Sequence, residues 1–287
     1  MNEIAAKLRD KGPIWFCKNV LGYQPFNYQS EIINSIFKYP RVTVKSCNGV
    51  GKSSIAARII LSFLYLNQPS VVLSTAPTFQ QVERIIWKEL RTAYNNANNL
   101  FDGGLGGILL PRSPELYLKN NWFAIGLSTN APERFQGYHE ENLLLIVDES
   151  SGVKDDIFEA SQRILTSENT HILQIGNPNS PADTTGNYFF ESFNSPLYKK
   201  YTINAFDTPN FIKFGIQNEH IESGEWREMI GKEKLPAPYL ITPSWAAEMV
   251  ELWGIDSAPY YISVLGEYPP EGSNALIPFN WMEKIVW

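Results

Sequence analysis

The stretch RVTVKSCNGVGKSS, Arg41–Ser54, decides the fold. Val42, Thr43 and Val44 are β-branched, which favours a strand. The residues that follow, SSIAARIILSFLYL (53–66), carry apolar side chains at helical spacing. Between them lies a turn with two glycines, Gly49 and Gly51. A strand, a glycine-permissive turn and a helix in this order aim backbone N–H groups at one point by a helix N-terminus, which suits a phosphate. The phosphate-loop pattern G-x-x-x-x-G-K, followed by Ser or Thr, is met at Gly51, Lys52 and Ser53. Its first glycine position holds Ser46 instead. Gly49 and Gly51 still supply conformational freedom inside the loop. Ser46, Cys47, Asn48, Gly49, Val50, Gly51, Lys52, Ser53 and Ser54 are therefore the candidate nucleotide-binding residues. Lys52 would reach the β- and γ-phosphates of ATP, and the Ser53 hydroxyl would ligate Mg²⁺.

Outward from this loop, strand-like apolar runs alternate with helical stretches. SVVLSTAP (70–77), WFAIGLS (122–128), LLLIVDE (143–149) and HILQIGNP (171–178) read as buried strands. FQQVERIIWKELRTAYNN (79–96) reads as an amphipathic helix with Val82, Ile85, Ile86 and Leu90 on one face. NNANNLFDGGLGG (95–107) reads as a loop or hairpin tip, and Lys199-Lys200 as a surface hairpin. The pattern predicts an α/β fold, a mainly parallel sheet flanked by helices as in phosphate-loop ATPases of the RecA type. Residues 1–205 form the expected core. From 206 to 287 short helices broken by prolines suggest a smaller lid or linker subdomain.

Three further features fit a nucleotide site. LLLIVDE ends in Asp148-Glu149, where Asp148 would hold Mg²⁺ and Glu149 would act as general base toward the attacking water. The distance in sequence from Lys52 to Asp148 leaves room for strands between the loop and the acidic strand. Asn177, in Gly176-Asn177-Pro178 after a strand, is placed to sense the γ-phosphate, although Gly-Asn-Pro also suits a plain turn. Gln29, at the head of FNYQSEIINSIF (26–37), offers the paired donor and acceptor that match an adenine edge. Tyr28 beside it would pack on the base.

Composition sets outer bounds. The chain has 287 residues, 44% of them hydrophobic and 19% charged, enough for a substantial core. No apolar run is long enough for a transmembrane helix, and the N-terminus lacks a signal-peptide core. Two cysteines, Cys17 and Cys47, cannot build a disulfide framework or a four-ligand zinc site, which suits a reducing cytoplasm. A net charge of −6 argues against wholesale coating of nucleic acid but leaves room for a local DNA track. The many aromatic residues read first as core.

Taken in order, FNYQ, SCNGVGKS, STAPTFQQVERIIWKELR, APERFQGYHEENLLLIVDES and QIGNPNSP resemble the ATPase half of a tailed-phage terminase large subunit. The resemblance runs from about Pro25 to the end. It implies a Mg²⁺-ATPase that packages double-stranded DNA, with Lys52 and Ser53 as the loop pair. Asp148 and Glu149 match the metal and water-activating carboxylates, Asn177 the coupling motif and Gln29 the adenine contact. It also implies an arginine finger from a neighbouring subunit. Arg134, in APERFQG, matches best, while a surface-loop arginine is its plain alternative; Arg84 is a second candidate, and Lys45 is placed to face the phosphates. The implied partners are double-stranded DNA, a portal protein, a small terminase subunit and further copies in a ring on the portal, with a monomer in isolation and no membrane. The implied location is the host cytoplasm.

GEYPPEGSNALIPFNWME resembles the linker beyond which such enzymes continue into a nuclease. The carboxylates after residue 205 are dispersed, so no nuclease activity is expected of these 287 residues. An alternative reading is the first lobe of a superfamily-2 helicase, which shares the glutamine, phosphate-loop and Asp-Glu motifs. That reading requires a second lobe, and no QxxGRxGR-like stretch occurs.

Overall fold

The computed structural model describes residues 11–100, 104–128, 135, 137–179 and 188–270. The chain divides into two compact units. The first comprises Met1–Val44, Gly51–Gly176 and Glu191–Tyr201; the second comprises Lys45–Val50, Asn177–Phe190 and Thr202–Trp287.

An eight-stranded sheet lies mostly in the first unit. Its strands are β1 (Arg41–Ser46), β2 (Val71–Thr75), β3 (Ile108–Leu109), β4 (Glu115–Lys119), β5 (Trp122–Gly126), β6 (Asn142–Asp148), β7 (Asn169–Gly176) and β8 (Lys199–Ile203), in the order β3-β4-β5-β2-β6-β7-β1-β8. β2 pairs in parallel with β5 and β6, and β6 pairs in parallel with β7. The β3–β4 and β4–β5 pairs are antiparallel, so the sheet is mixed at that edge. All five residues of β2 are buried, as are six of seven in β6 and seven of eight in β7. Strands covered on both faces read as continuous apolar runs, which is why these three were legible. The strand between β1 and β6 is β7, so the loop strand and the acidic strand are separated as expected.

Helices α1 (Gly12–Asn19), α2 (Asn27–Ile36) and α3 (Lys52–Leu66) belong to this unit. Every residue of α3 from Ile55 to Leu66 is buried. The next helical run has three segments, α4 (Phe79–Gln81), a π-helical turn at Val82–Ile86, and α5 (Trp87–Leu100). The π turn shifts the register, so Val82, Ile86 and Trp87 face inward while Ile85 is 42% exposed. Ile85 is thus not part of the apolar face that the periodicity suggested. α5 continues through the asparagines to Leu100, because Ala93, Tyr94 and Ala97 remain buried and burial outweighs weak helix propensity. Lys199 and Lys200 lie on the edge strand β8 rather than in a hairpin, and charged residues there discourage further strand pairing. After β6 comes α6 (Asp155–Gln162).

The second unit contains short helices: α7 (Pro209–Ile212), α8 (Asn218–Ser223), α9 (Trp226–Ile230), α10 (Pro243–Trp253) and α11 (Ala258–Tyr260). Prolines start α7 and α10, where the missing N–H costs nothing. This unit begins at Thr202 in its C-terminal part, and it also counts the residues leading into the loop, Lys45–Val50.

Candidate nucleotide site

The run Ser46–Ser54 is one covalent turn joining β1 to α3. Gly51 stands at the N-cap of α3 with φ +80°, a left-handed conformation open to glycine and strained for other residues. Ser46, at the unexpected first position, is fully buried, and its hydroxyl donates to the Cys47 carbonyl at 3.0 Å. A side-chain hydroxyl thus steadies the loop's entry, where the pattern asks for glycine. Cys47 is fully buried and takes part in no disulfide.

Within the second unit, the Cys47 N–H donates to the Ile203 carbonyl at 2.8 Å and the Asn48 N–H to the Ser263 carbonyl at 2.9 Å. These two amides therefore serve the loop's anchorage. The Asn177 side chain donates from Nδ2 to the Ser46 carbonyl at 2.8 Å and to Asn48 Oδ1 at 3.0 Å. A residue picked out as a phosphate sensor thus touches the loop directly. Lys45 is paired with Glu267 and lies over the Tyr268 ring, 5.4 Å from its centroid. Gly266 sits so close to the Ser46–Cys47 backbone that a Cβ there would lie 2.5 Å from the Cys47 nitrogen. None of these C-terminal anchors was legible in the sequence, because each acts through a main-chain group or an undistinguished side chain.

In the first unit, four predicted side chains meet. The Ser53 hydroxyl lies 3.5 Å from Asp148 Oδ2, and Lys52 Nζ lies 4.0 Å from Glu149 Oε1. Asp148 is 2% exposed and accepts the Glu149 N–H at 3.1 Å. Burial raises its pKa to about 7, the Glu149 charge adds to the rise, and Lys52, the Glu149 amide and the Ser53 hydroxyl oppose it. Proximity to one lysine and one hydroxyl does not offset desolvation. A carboxylate and a hydroxyl at this spacing are hard oxygen donors of the kind Mg²⁺ takes, and a cation would supply the missing positive charge. These residues fit the ion.

Glu149 has φ +47°, the one positive-φ residue other than glycine among the described residues. Strained backbone of this kind clusters at functional sites. The end of β7 crowds against it: a Cβ on Gly176 would lie 2.9 Å from the Ser150 nitrogen and 3.3 Å from Glu149 Cα. Gly176 therefore permits the close approach of two strand ends beside the candidate base.

Gln29 is 1% exposed on α2. Its Oε1 accepts from the Phe26 N–H at 3.0 Å and from the Tyr23 hydroxyl at 2.7 Å, and Nε2 lies 3.4 Å from the Tyr28 hydroxyl. Tyr28 stacks on Phe26. The amide oxygen is thus engaged in the start of α2. Behind Tyr23 lies Arg58, which pairs with Glu89 at 2.9 Å. This support was not anticipated, since Arg58 sits in an otherwise apolar helical pattern. Arg84 is exposed on the π turn. Arg134 lies outside the described residues, as does the linker-like stretch from residue 271 on.

No family model matches the chain. A curated relative, the probable terminase large subunit of Enterobacteria phage P7, is 25% identical over 270 residues, covering 92% of this chain and 50% of the relative. The chain thus spans about half the length of the relative it matches. Among solved structures, the large terminase ATPase domain of Thermus phage P74-26 superposes with a TM-score of 0.59 at 17% identity, covering 88% of this chain and 97% of that one. The HK97 bacteriophage large terminase gives 0.57 at 14% identity, covering 85% and 51%. The large terminase of a thermophilic bacteriophage in complex with ADP gives 0.53 at 9% identity, covering 70% and 50%. The chain is similar in sequence to a phage large terminase, and its α/β fold is that of large terminase ATPase domains.

Proposed function

We propose that this chain is the Mg²⁺-dependent ATPase domain of a phage terminase large subunit, which drives double-stranded DNA into a prohead. The observation that carries the reading is the meeting of Lys52, Ser53, Asp148 and Glu149 at the end of β6, with β7 between the loop strand and the acidic strand. Mg²⁺, bound through Ser53 and Asp148, would neutralise charge on the phosphate oxygens. Lys52 would hold the β- and γ-phosphates of ATP. Glu149 takes a proton from the water whose oxygen attacks the γ-phosphorus, while the bond to the ADP oxygen breaks. Gln29 contacts the adenine, and Asn177 passes the state of the γ-phosphate to the loop it touches.

A finger from a neighbouring copy, Arg134, completes the site in a ring assembled on a portal protein, while the isolated chain is a monomer with slow turnover. DNA and a small terminase subunit are the other partners, in the cytoplasm of the infected host. Among the described residues no helix is long and apolar enough to cross a membrane. The organisation that goes with this function is a phosphate-loop core over residues 1–205 and a lid or linker subdomain over 206–287.

The test is phosphate release from ATP by the full chain with Mg²⁺ and with EDTA, for wild type and Lys52→Ala. Turnover that requires both Mg²⁺ and Lys52 supports the reading. Turnover that survives Lys52→Ala removes the loop from the reaction.

A further inference from the structure

The phosphate loop is tied to a segment that belongs to no nucleotide motif. The Gly49 carbonyl accepts a hydrogen bond from the Ile241 N–H at 3.0 Å. In a trans peptide the C=O and the following N–H point in opposite directions. A Gly49 carbonyl fixed on Ile241 therefore turns the Val50 N–H away from Ile241. Gly49 has φ +66°, and a Cβ there would lie 3.0 Å from the Ile241 nitrogen, so the approach of these two backbones requires glycine.

Ile241 is fixed in turn by Asn210. This residue is fully buried on α7, and its amide is spent on one short strap, Ala237–Ile241. Nδ2 donates to the Ala237 carbonyl at 2.7 Å and to the Ile241 carbonyl at 2.9 Å, while Oδ1 accepts the Ala237 N–H at 2.9 Å. A turn closed by the Leu240 N–H on the Ala237 carbonyl, at 2.9 Å, joins the two ends. Burying a carboxamide is costly unless its hydrogen bonds are made. Here all three go to the segment whose last residue, Ile241, donates its amide to the loop.

We propose that Asn210 is a positioning residue for nucleotide binding: through the Ala237–Ile241 strap it sets the orientation of the Gly49–Val50 peptide, and with it the fit of the loop to the β-phosphate. The inference rests on the phosphate-loop reading of Ser46–Ser54. It acts on ADP and ATP alike, because both carry a β-phosphate. By reciprocity, nucleotide on the loop stabilises the Ile241 N–H bond by the same factor.

The experiment is titration calorimetry of Mg-ADP and Mg-ATP against the full chain as wild type, Lys52→Ala, Asn210→Ala and Ile221→Ala. Ile221 is a buried residue of the same unit that takes no part in the strap or the loop, and circular dichroism sets a temperature at which every variant is folded. Asn210→Ala is expected to raise both dissociation constants about tenfold, with Ile221→Ala at the wild-type values. Wild-type affinity in Asn210→Ala, with binding lost in Lys52→Ala, overturns the role of Asn210 and leaves the loop reading standing. An equal loss in Ile221→Ala overturns it as well, since the effect then comes from general loosening of the unit. Unchanged affinity in Lys52→Ala removes the loop reading and the proposal together. Should Asn210→Ala fail to fold, hydrogen exchange on the wild type decides: ADP is expected to slow exchange at the Ile241 amide, and unchanged exchange there overturns the proposal.

Discussion

The Ser53 hydroxyl lies 3.5 Å from Oδ2 of Asp148, whose carboxyl is buried at the end of β6 with a pKa raised to about 7. Without a cation, this carboxylate is a destabilising element of the fold. An unfolded aspartate titrates near 4. Below that pH the group is protonated in both states and costs nothing. Between about 4 and 7 the unfolded chain ionises first, so folding stability is lost as pH rises, and above 7 the loss is constant. Asp148→Asn is therefore expected to raise the melting temperature of the metal-free protein at pH 8, by an amount corresponding to roughly 2–4 kcal/mol. The gain should vanish near pH 4. Thermal unfolding in EDTA across this range checks it, and a gain independent of pH contradicts it.

Gly176 leaves room for the strained backbone of Glu149. Gly176→Ala places a methyl group 2.9 Å from the Ser150 nitrogen, so the 149–150 backbone must move. The expected cost is about 1–3 kcal/mol of stability. Turnover should fall at least tenfold with ATP affinity within about twofold of wild type, because the base moves while the loop does not. Steady-state kinetics beside equilibrium binding separates the two.

Gln29 has one role seen in its hydrogen bonds and one proposed toward adenine. Gln29→Ala removes the acceptor of the Phe26 N–H and the Tyr23 hydroxyl, an expected loss of about 1–3 kcal/mol. The proposed adenine contact predicts a smaller preference for ATP over GTP as well. Dissociation constants for both nucleotides, measured well below the melting temperature, distinguish a structural cap from a reader of the base.

The parts of this fold that could be read from sequence are those where a single local rule holds. β2, β6 and β7 are buried on both faces and appear as unbroken apolar runs. The loop is legible because Gly51, Lys52 and Ser53 stand between a β-branched strand and an apolar helix. The π turn at Val82–Ile86 escapes notice because its residues also fit an ordinary helix, and only Ile85, left in solvent, betrays the shift. β3, β4 and β8 are short and lie toward the edges, where alternation and charge mask the pattern. Side-chain type singles out Lys52, Ser53, Asp148 and Glu149, which meet in the first unit, and Asn177, which touches Ser46 and Asn48 in the second. The loop's anchors at Ile203, Ser263 and Ile241 were not legible, since a main-chain carbonyl or amide leaves no mark on residue type.

Arg134 carries the claim that hydrolysis is completed between copies. ATPase rate per chain should rise steeply with protein concentration in the wild type. Arg134→Ala should flatten that rise, with a loss of about 10³-fold or more at the highest concentration. A flat wild-type profile, with Arg134 irrelevant, means that the site is self-sufficient or is completed by a second lobe rather than by a neighbouring copy.

Single-turnover ATP cleavage by wild type and Glu149→Gln with Mg²⁺, with bound nucleotide measured in the same samples, tests the role of Glu149 as general base. Glu149→Gln is expected to bind ATP at wild-type affinity and to cleave it about 10²–10⁴-fold more slowly. Cleavage at the wild-type rate by Glu149→Gln would contradict this, since the carboxylate 4.0 Å from Lys52 would then have no part in the chemistry.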